Sequence, residues 1–88
     1  MELENKMASF LFYCGSMYTR VGAYPLARYS FSVASRMGHV PAMRELGILL
    51  VQGRGGDVDI YEGSRLLHNA ENAGDETAAV ALDSFLEF

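Results

Sequence analysis

Apolar residues recur every three or four positions along most of the chain, which is the period of an α-helix. In the first segment this pattern comprises Leu3, Met7, Phe10, Cys14, Met17 and Val21. Similar stripes predict helices over about 3–20, 24–37, 41–52 and 60–73, and a closing helix over about 76–88. The pattern contains no strand signal, so an all-α fold is predicted.

Residues that favour helix ends separate these segments. Prolines suited to a first turn and glycines suited to the position after a last turn are Pro25, Pro41, Gly38 and Gly74. Asp59 and Asp75 are predicted N-caps, and Glu62 has the spacing of a capping box with Asp59. The connections are therefore short, and consecutive helices are expected to be antiparallel.

A nine-residue pattern occurs twice in the chain. Ala34, Gly38 and Ala42 are matched by Ala70, Gly74 and Ala78, each at an offset of 36 residues. Self-similarity at a period of about 20–50 residues is typical of repeat proteins. We therefore predict two helix–turn–helix repeats, over about 7–41 and 42–77, followed by the closing helix, in a single domain spanning 1–88.

The second repeat carries a more specific motif. Leu46-Gly47, Leu50, Gly53 and Gly55, followed by Asp59 and then Ala70, Gly74 and Ala78, resemble a Sel-one-like repeat, a subclass of the tetratricopeptide-like repeats. Three positions depart from that pattern, with Leu50 in place of an aromatic residue and Gly63 and Glu71 in place of alanines. Gly63 is expected to weaken the fourth helix. Residues 7–42 match the pattern less well.

This resemblance implies a short α-solenoid of about five antiparallel helices that acts as a protein-binding scaffold. Stacked helix pairs expose a concave face lined by the first helix of each pair. Helical projection places Ala8 and Gly15 toward this groove, together with the predicted partner-binding residues Phe12, Ser16, Arg44, Ile48, Val51, Gln52, Val80 and Ser84. An apolar peptide or an amphipathic helix would suit such a groove. The alternative is that some of these residues belong to the core.

Charge is unevenly distributed along the chain, which has a net charge of −4. Residues 1–56 carry a formal charge of +3 and residues 57–88 a charge of −7. This asymmetry is either a solvated surface or a source of electrostatic steering toward a partner. An acidic second half without a lysine-rich patch argues against nucleic-acid binding.

The sequence predicts a cytoplasmic protein. No apolar run reaches the ~20 residues that span a bilayer, and the acidic start differs from a secretory signal. Cys14 is the single cysteine, which suits a reducing compartment. It is interpreted as a small core residue, with a reactive thiol as the alternative.

Candidate chemistry is sparse, and we predict a protein without enzymatic activity, metal or cofactor. His39 lies in a predicted turn and His68 on the fourth helix, without the spaced partners of a metal site. Both are interpreted as surface or capping residues. Gly53–Asp57 lacks the lysine and hydroxyl residue of a phosphate-binding loop, and the repeat pattern explains it as a turn.

Two alternatives to an adaptor remain open. The closing helix has no partner in the sequence, so Val80, Leu86 and Phe88 are candidates for a homodimer contact. The small size and acidity also suit a phage or mobile-element type of inhibitor that blocks a host protein complex.

Overall fold

The computed structural model describes residues 2–86, apart from the side chain of Leu86, and within this range the chain forms five helices. They are α1 (Glu2–Arg20), α2 (Tyr24–Arg36), α3 (Val40–Gln52), α4 (Ile60–Asn72) and α5 (Glu76–Leu86). The predicted all-α fold is confirmed, and the bounds of the first four helices agree to within one residue. The predicted continuation of the closing helix over 87–88 lies outside the described residues.

The helices pack in chain order. Helices α1 and α2 form a first hairpin, α3 and α4 form a second, and α5 packs on α4 with a smaller contact to α3. The interface between the hairpins is mainly that of α2 with α3. Helix α1 therefore lies at one end of the stack, with α2 as its main neighbour.

The turns that close the two hairpin units have the same structure. Gly38 and Gly74 have left-handed φ angles of 85° and 99°, which favour glycine. The next residue donates its backbone N–H to the carbonyl five positions earlier, from His39 to Ala34 at 3.2 Å and from Asp75 to Ala70 at 3.0 Å. Residues 34–42 and 70–78 thus lie in equivalent turns.

The side chains of these turns also correspond. His39 Nδ1 accepts the Ala42 N–H at 3.3 Å, and Asp75 Oδ1 accepts the Ala78 N–H at 3.1 Å. The alanines of both turns are fully buried: Ala34, Ala42, Ala70 and Ala78. Predicted capping by Asp75 is confirmed, and His39 is the cap of α3.

Two clusters of buried side chains form the core. The first joins the hairpins and includes Phe31 of α2 with Leu46, Leu49 and Leu50 of α3. The second joins α4 to α5 and centres on Leu67. The largest fully buried side chains are Phe31 and Leu67, one in each cluster. Leu50, which stands where the repeat pattern has an aromatic residue, is buried in the first cluster.

Glycines set the crossing of α3 and α4. A Cβ on Gly47 would lie 2.8 Å from Leu67 Cγ and 2.9 Å from the Gly63 carbonyl oxygen. A Cβ on Gly63 would lie 2.8 Å from the Gly47 carbonyl oxygen. Both glycines therefore let the two backbones approach. The expectation that Gly63 only weakens the fourth helix was incomplete, because this glycine is part of the close crossing.

One arginine fixes the loop between α3 and α4, which sequence reasoning did not predict. Arg28 of α2 donates to the carbonyl oxygens of Arg54 at 3.2 Å, Asp57 at 3.1 Å and Leu49 at 3.4 Å. Charged donors strengthen such bonds. The glycine-rich segment is therefore held against the first hairpin.

The start of α4 only partly matches its prediction. Asp59 Oδ1 accepts the Glu62 N–H at 3.0 Å, so the N-cap is confirmed. The return half of the capping box is absent, since the Asp59 N–H donates to the Leu50 carbonyl at 2.9 Å. Glu62 instead pairs with Arg65, and this hydrogen bond lowers the pKa of the Glu62 carboxyl below its usual value.

Candidate functional site

The structure spreads the predicted groove residues over very different degrees of burial. Half-buried positions are Phe12, Ser16, Arg44, Ile48 and Val51, whereas Gln52, Val80 and Ser84 are exposed. The apolar residues predicted to line the groove are Phe12, Ile48, Val51 and Val80. They do not form a continuous exposed surface, because Val80 is the one among them that is exposed. Whether these residues bind a partner stays a prediction.

The α1 end of the groove is closed by packing within the molecule. The Phe12 ring lies 5.6 Å from the Phe31 ring and 5.0 Å from the His39 ring, measured between centroids. Ala8 is only 3% exposed and Gly15 is buried, with Phe31 occupying the space that a Cβ on Gly15 would need. The groove positions predicted for Ala8 and Gly15 were wrong, because these small residues let α1 approach α2.

A surface cleft remains beside this contact. It has a volume of about 330 Å³ and lies between α1 and the turn that leads into α3. Its walls include Asn5, Ser9, Met37, His39 and Pro41. The cleft therefore reaches Ala8, one of the positions that were predicted to face the groove.

Arg44 is held in the middle of the groove by charged neighbours. Its Nη1 lies 2.9 Å from Asp75 Oδ2, and its Nε lies 3.0 Å from Glu45 Oε2. The Arg44 and Asp75 side chains are 19% and 8% exposed. Because Asp75 also caps α5, Arg44 links α3 to the start of α5, and its side chain is already used for contacts within the protein.

The other apolar groove residues of α3 pack inward. Ile48 and Val51 contact the second core cluster, and Val51 Cγ2 would lie 2.7 Å from a Cβ on Gly63. Replacing either residue with aspartate would therefore disturb the packing as well as the surface. A mutational test of partner binding therefore has to change residues that are exposed.

A larger apolar surface covers the far side of the first hairpin, and sequence reasoning did not find it. We call it the outer face. From α1 and the residue after it come Leu3, Met7, Phe10, Tyr13, Cys14, Met17 and Val21, and from α2 come Leu26, Tyr29 and Val33. Leu3 is 74% exposed, Phe10 64% and Tyr29 68%. A stripe of exposed apolar side chains along a helix is typical of interaction sites in soluble proteins.

The apolar stripe that predicted α1 thus faces away from the core. Cys14, interpreted as a core residue, is half-buried and lies on the outer face. Helix α1 has a second apolar strip, formed by Ala8, Leu11, Phe12 and Tyr18, and this strip packs on the core. Helical periodicity finds both strips but does not decide which one is covered.

The repeat shows what the outer face corresponds to. At an offset of 36 residues, Lys6, Phe10, Tyr13 and Cys14 of α1 match Ala42, Leu46, Leu49 and Leu50 of α3. All four α3 residues are at most 9% exposed and belong to the cluster that joins the hairpins. None of the four α1 residues is buried. The outer face is therefore the surface that the second hairpin buries against the first.

The opposite end of the stack differs. Ala78 and Leu82 of α5 are buried, while the helix turns Glu76, Thr77, Asp83 and Ser84 outward beside Val80. A polar outer surface is what a terminal capping element of a repeat protein requires. Within the described residues, α5 therefore has the polar outer surface of a capping element, whereas the outer face of the first hairpin is apolar. The predicted contacts of the Leu86 side chain and Phe88 lie outside the described residues.

Chemically reactive groups do not converge in the described part of the chain. His68 is exposed, with Nδ1 3.8 Å from Glu71 Oε1, and no group of three or more metal-ligating side chains occurs among residues 2–86. No helix in that range is long and apolar enough to cross a membrane.

Comparison with known proteins adds no relative. No family model matches the sequence, and neither a curated protein nor a solved structure matches it significantly. The fold places the chain in the class of small all-α proteins built from stacked helical hairpins. The assignment to a particular repeat family rests on the motif resemblance alone.

The His39 cap is expected to make stability depend on pH. Burial, and then the positive charge of Arg44, hold the pKa of His39 below its ordinary value of 6.5. The unfolded chain therefore binds a proton more readily than the folded protein as pH falls. We expect this cap to contribute its full stabilisation above about pH 7, and the free energy of unfolding to decline as the pH falls below the ordinary pKa of histidine.

Urea denaturation at several pH values measures this effect. His39→Asn keeps a neutral cap acceptor and should flatten the dependence, whereas His68→Asn, at an exposed histidine, should leave it unchanged. Staying above pH 5.5 avoids the carboxylates, whose ordinary pKa values lie near 4. If the free energy of unfolding changes with pH equally in wild type and His39→Asn, the His39 cap does not control the pH dependence.

Proposed function

We propose that this protein is a non-catalytic binding module that holds a helical segment of another protein against its outer face. The observation that carries the proposal is the uncovered position of Phe10, Tyr13 and Cys14, whose counterparts in α3 are buried by a helical hairpin. Because the outer face has the same residue spacing as the α3 surface that a helical hairpin buries, a helical segment is the partner that suits it. The resemblance to Sel-one-like repeats, which implies a binding scaffold, supports the same conclusion.

The outer face is a better candidate than the predicted groove. Phe12 and Ile48 pack on the core clusters and Arg44 is paired, so a ligand there would have to displace internal contacts. On the outer face, Phe10 and Tyr13 are 64% and 61% exposed. Aromatic residues and methionine are enriched in protein interfaces, and both kinds are present there.

We also propose a cytoplasmic location, which rests on the single cysteine. The partner's identity is left to experiment. A host complex that the protein inhibits would be one such partner, and the binding surface would be the same.

The test compares two exposed apolar residues with nearly equal exposure. Phe10 is 64% exposed on the outer face, and Val80 is 63% exposed on α5. A partner captured from the native host with the wild-type protein is identified, purified and titrated against both variants. Phe10→Asp should weaken binding by about 30-fold or more, because an interface phenylalanine contributes about 2 kcal/mol, and Val80→Asp should leave it unchanged.

Circular dichroism and thermal melts accompany the titration. Both positions are exposed, so both variants should keep the helical spectrum. If Val80→Asp removes binding and Phe10→Asp does not, the closing helix is the binding surface and the proposal is wrong. If both variants bind like wild type, the outer face is not the docking site.

A further inference from the structure

The spacing of the α1 residues on the outer face defines the shape of the occupant. Leu3, Met7, Phe10, Cys14, Met17 and Val21 alternate steps of four and three residues. This alternation is the a/d pattern of helices that pack nearly parallel or antiparallel along their length. A helix lying along α1 would cover all six positions, whereas an extended peptide has no matching period.

Charged residues border this stripe. Lys6 and Arg20, with the uncharged Tyr13 between them, occur at intervals of seven. They therefore lie along one edge of the stripe, where flanking residues of a paired helix are placed. Arg36 is exposed at the end of α2. The carboxylates of the first hairpin, Glu2 and Glu4, are confined to the first turn of α1. The edge of the outer face is therefore mainly basic.

The basic edge is available to a partner. Lys6 Nζ lies 3.6 Å from Glu2 Oε1, but the two side chains are 74% and 86% exposed, so their pairing is weak. A carboxylate on a docked helix would meet less water than Glu2 does and would interact more strongly with the same ammonium group.

A second copy of this chain suits the outer face less well. Two α1 helices packed antiparallel would bring Lys6 of one copy toward Arg20 of the other, and parallel packing would bring the acidic first turns together. Among residues 76–85 of α5 in another copy, the large apolar side chain that is exposed is Val80. Neither the pairing of two α1 helices nor a contact with α5 of another copy both covers the apolar stripe and places opposite charges beside its basic edge.

We propose that the outer face binds an amphipathic α-helix of a partner protein in which acidic residues flank the apolar stripe. This inference deepens the proposed function and rests on it. Apolar burial along α1 supplies the affinity, and the acidic flanks select the partner and its orientation.

Two designed peptides test the charge of the partner. Each has about three heptads with leucine at the a and d positions, and the flanking e and g positions are all glutamate in one peptide and all lysine in the other. Fluorescence anisotropy at low salt should show the acidic peptide binding about tenfold more tightly or better. This preference should shrink as salt is raised. Lys6→Glu combined with Arg20→Glu should reverse it.

The outcomes separate the two proposals. Equal binding of both peptides, abolished by Phe10→Asp but not by Val80→Asp, would overturn the acidic partner and leave a helix-binding outer face. Absence of binding by both peptides would overturn this inference, while the proposed function would still be decided by the purified partner. Sedimentation showing a dimer that Phe10→Asp dissociates would overturn it in favour of a second copy.

Discussion

Phe31→Ala is expected to lower the free energy of unfolding by about 3–5 kcal/mol. The Phe31 side chain is 1% exposed and belongs to the cluster that joins the two hairpins. Its ring also fills the space beside Gly15, where α1 approaches α2. Removing the ring would leave a cavity against three helices, and a domain of this size has a total stability of only about 5–10 kcal/mol.

The matched control is the same substitution on the outer face. Phe10 is 64% exposed, so Phe10→Ala should change the free energy of unfolding by about 0.5 kcal/mol or less. Urea denaturation followed by circular dichroism measures both variants. If Phe10→Ala is as destabilising as Phe31→Ala, α1 packs on its other stripe and the outer face belongs to the core.

This pair of phenylalanines also shows what the sequence can and cannot predict about packing. Both residues lie on apolar stripes with helical spacing, and both stripes predict their helices correctly. The structure distinguishes them because α1 is an end helix with one main neighbour, so only one of its two strips is covered. The covered strip contains Ala8 and Gly15, whose small size permits close contact, and a hydrophobic pattern gives small residues little weight.

The helix ends were more predictable than the faces. Pro25, Gly38, Asp59 and Asp75 act through local backbone geometry, which depends on residues a few positions away, and each has its predicted place at a helix end. Arg28 was not predicted, because its three acceptors are 21 to 29 residues away and are backbone carbonyls. Every residue has a backbone carbonyl, so the amino-acid sequence does not show which carbonyls accept these hydrogen bonds.

The candidate site was missed for a related reason. Projection from the repeat pattern addressed the groove, and the structure leaves Gln52 and Ser84 exposed there. The pattern did not ask which helix face is uncovered at the end of the stack, where Phe10 and Tyr13 are exposed although their counterparts Leu46 and Leu49 are buried. Comparing equivalent residues between the two hairpins would have located the uncovered end, once the order of packing was known.

Gly47→Leu is expected to cost about 3 kcal/mol or more, because the crossing of α3 and α4 leaves no room for a side chain. A Cβ at this position already lies 2.9 Å from the Gly63 carbonyl oxygen, which belongs to the opposing backbone and cannot move alone. The additional carbons of leucine would enter the space of Leu67, which is fully buried. Overpacking of this kind forces backbone shifts.

The alanine variants separate packing from helix propensity. Alanine in place of glycine favours an isolated helix by about 1 kcal/mol, so Gly47→Ala and Gly63→Ala would be stabilising if the two helices were free to adjust. Since each Cβ meets a carbonyl oxygen at 2.8 or 2.9 Å, we expect both variants to lose about 1–3 kcal/mol instead. Asn69→Ala, at an exposed position of α4, should be neutral or slightly stabilising. Thermal and urea unfolding measure all three, and a gain in stability for Gly63→Ala would mean that α3 and α4 are not held at the close distance on which the second hairpin depends.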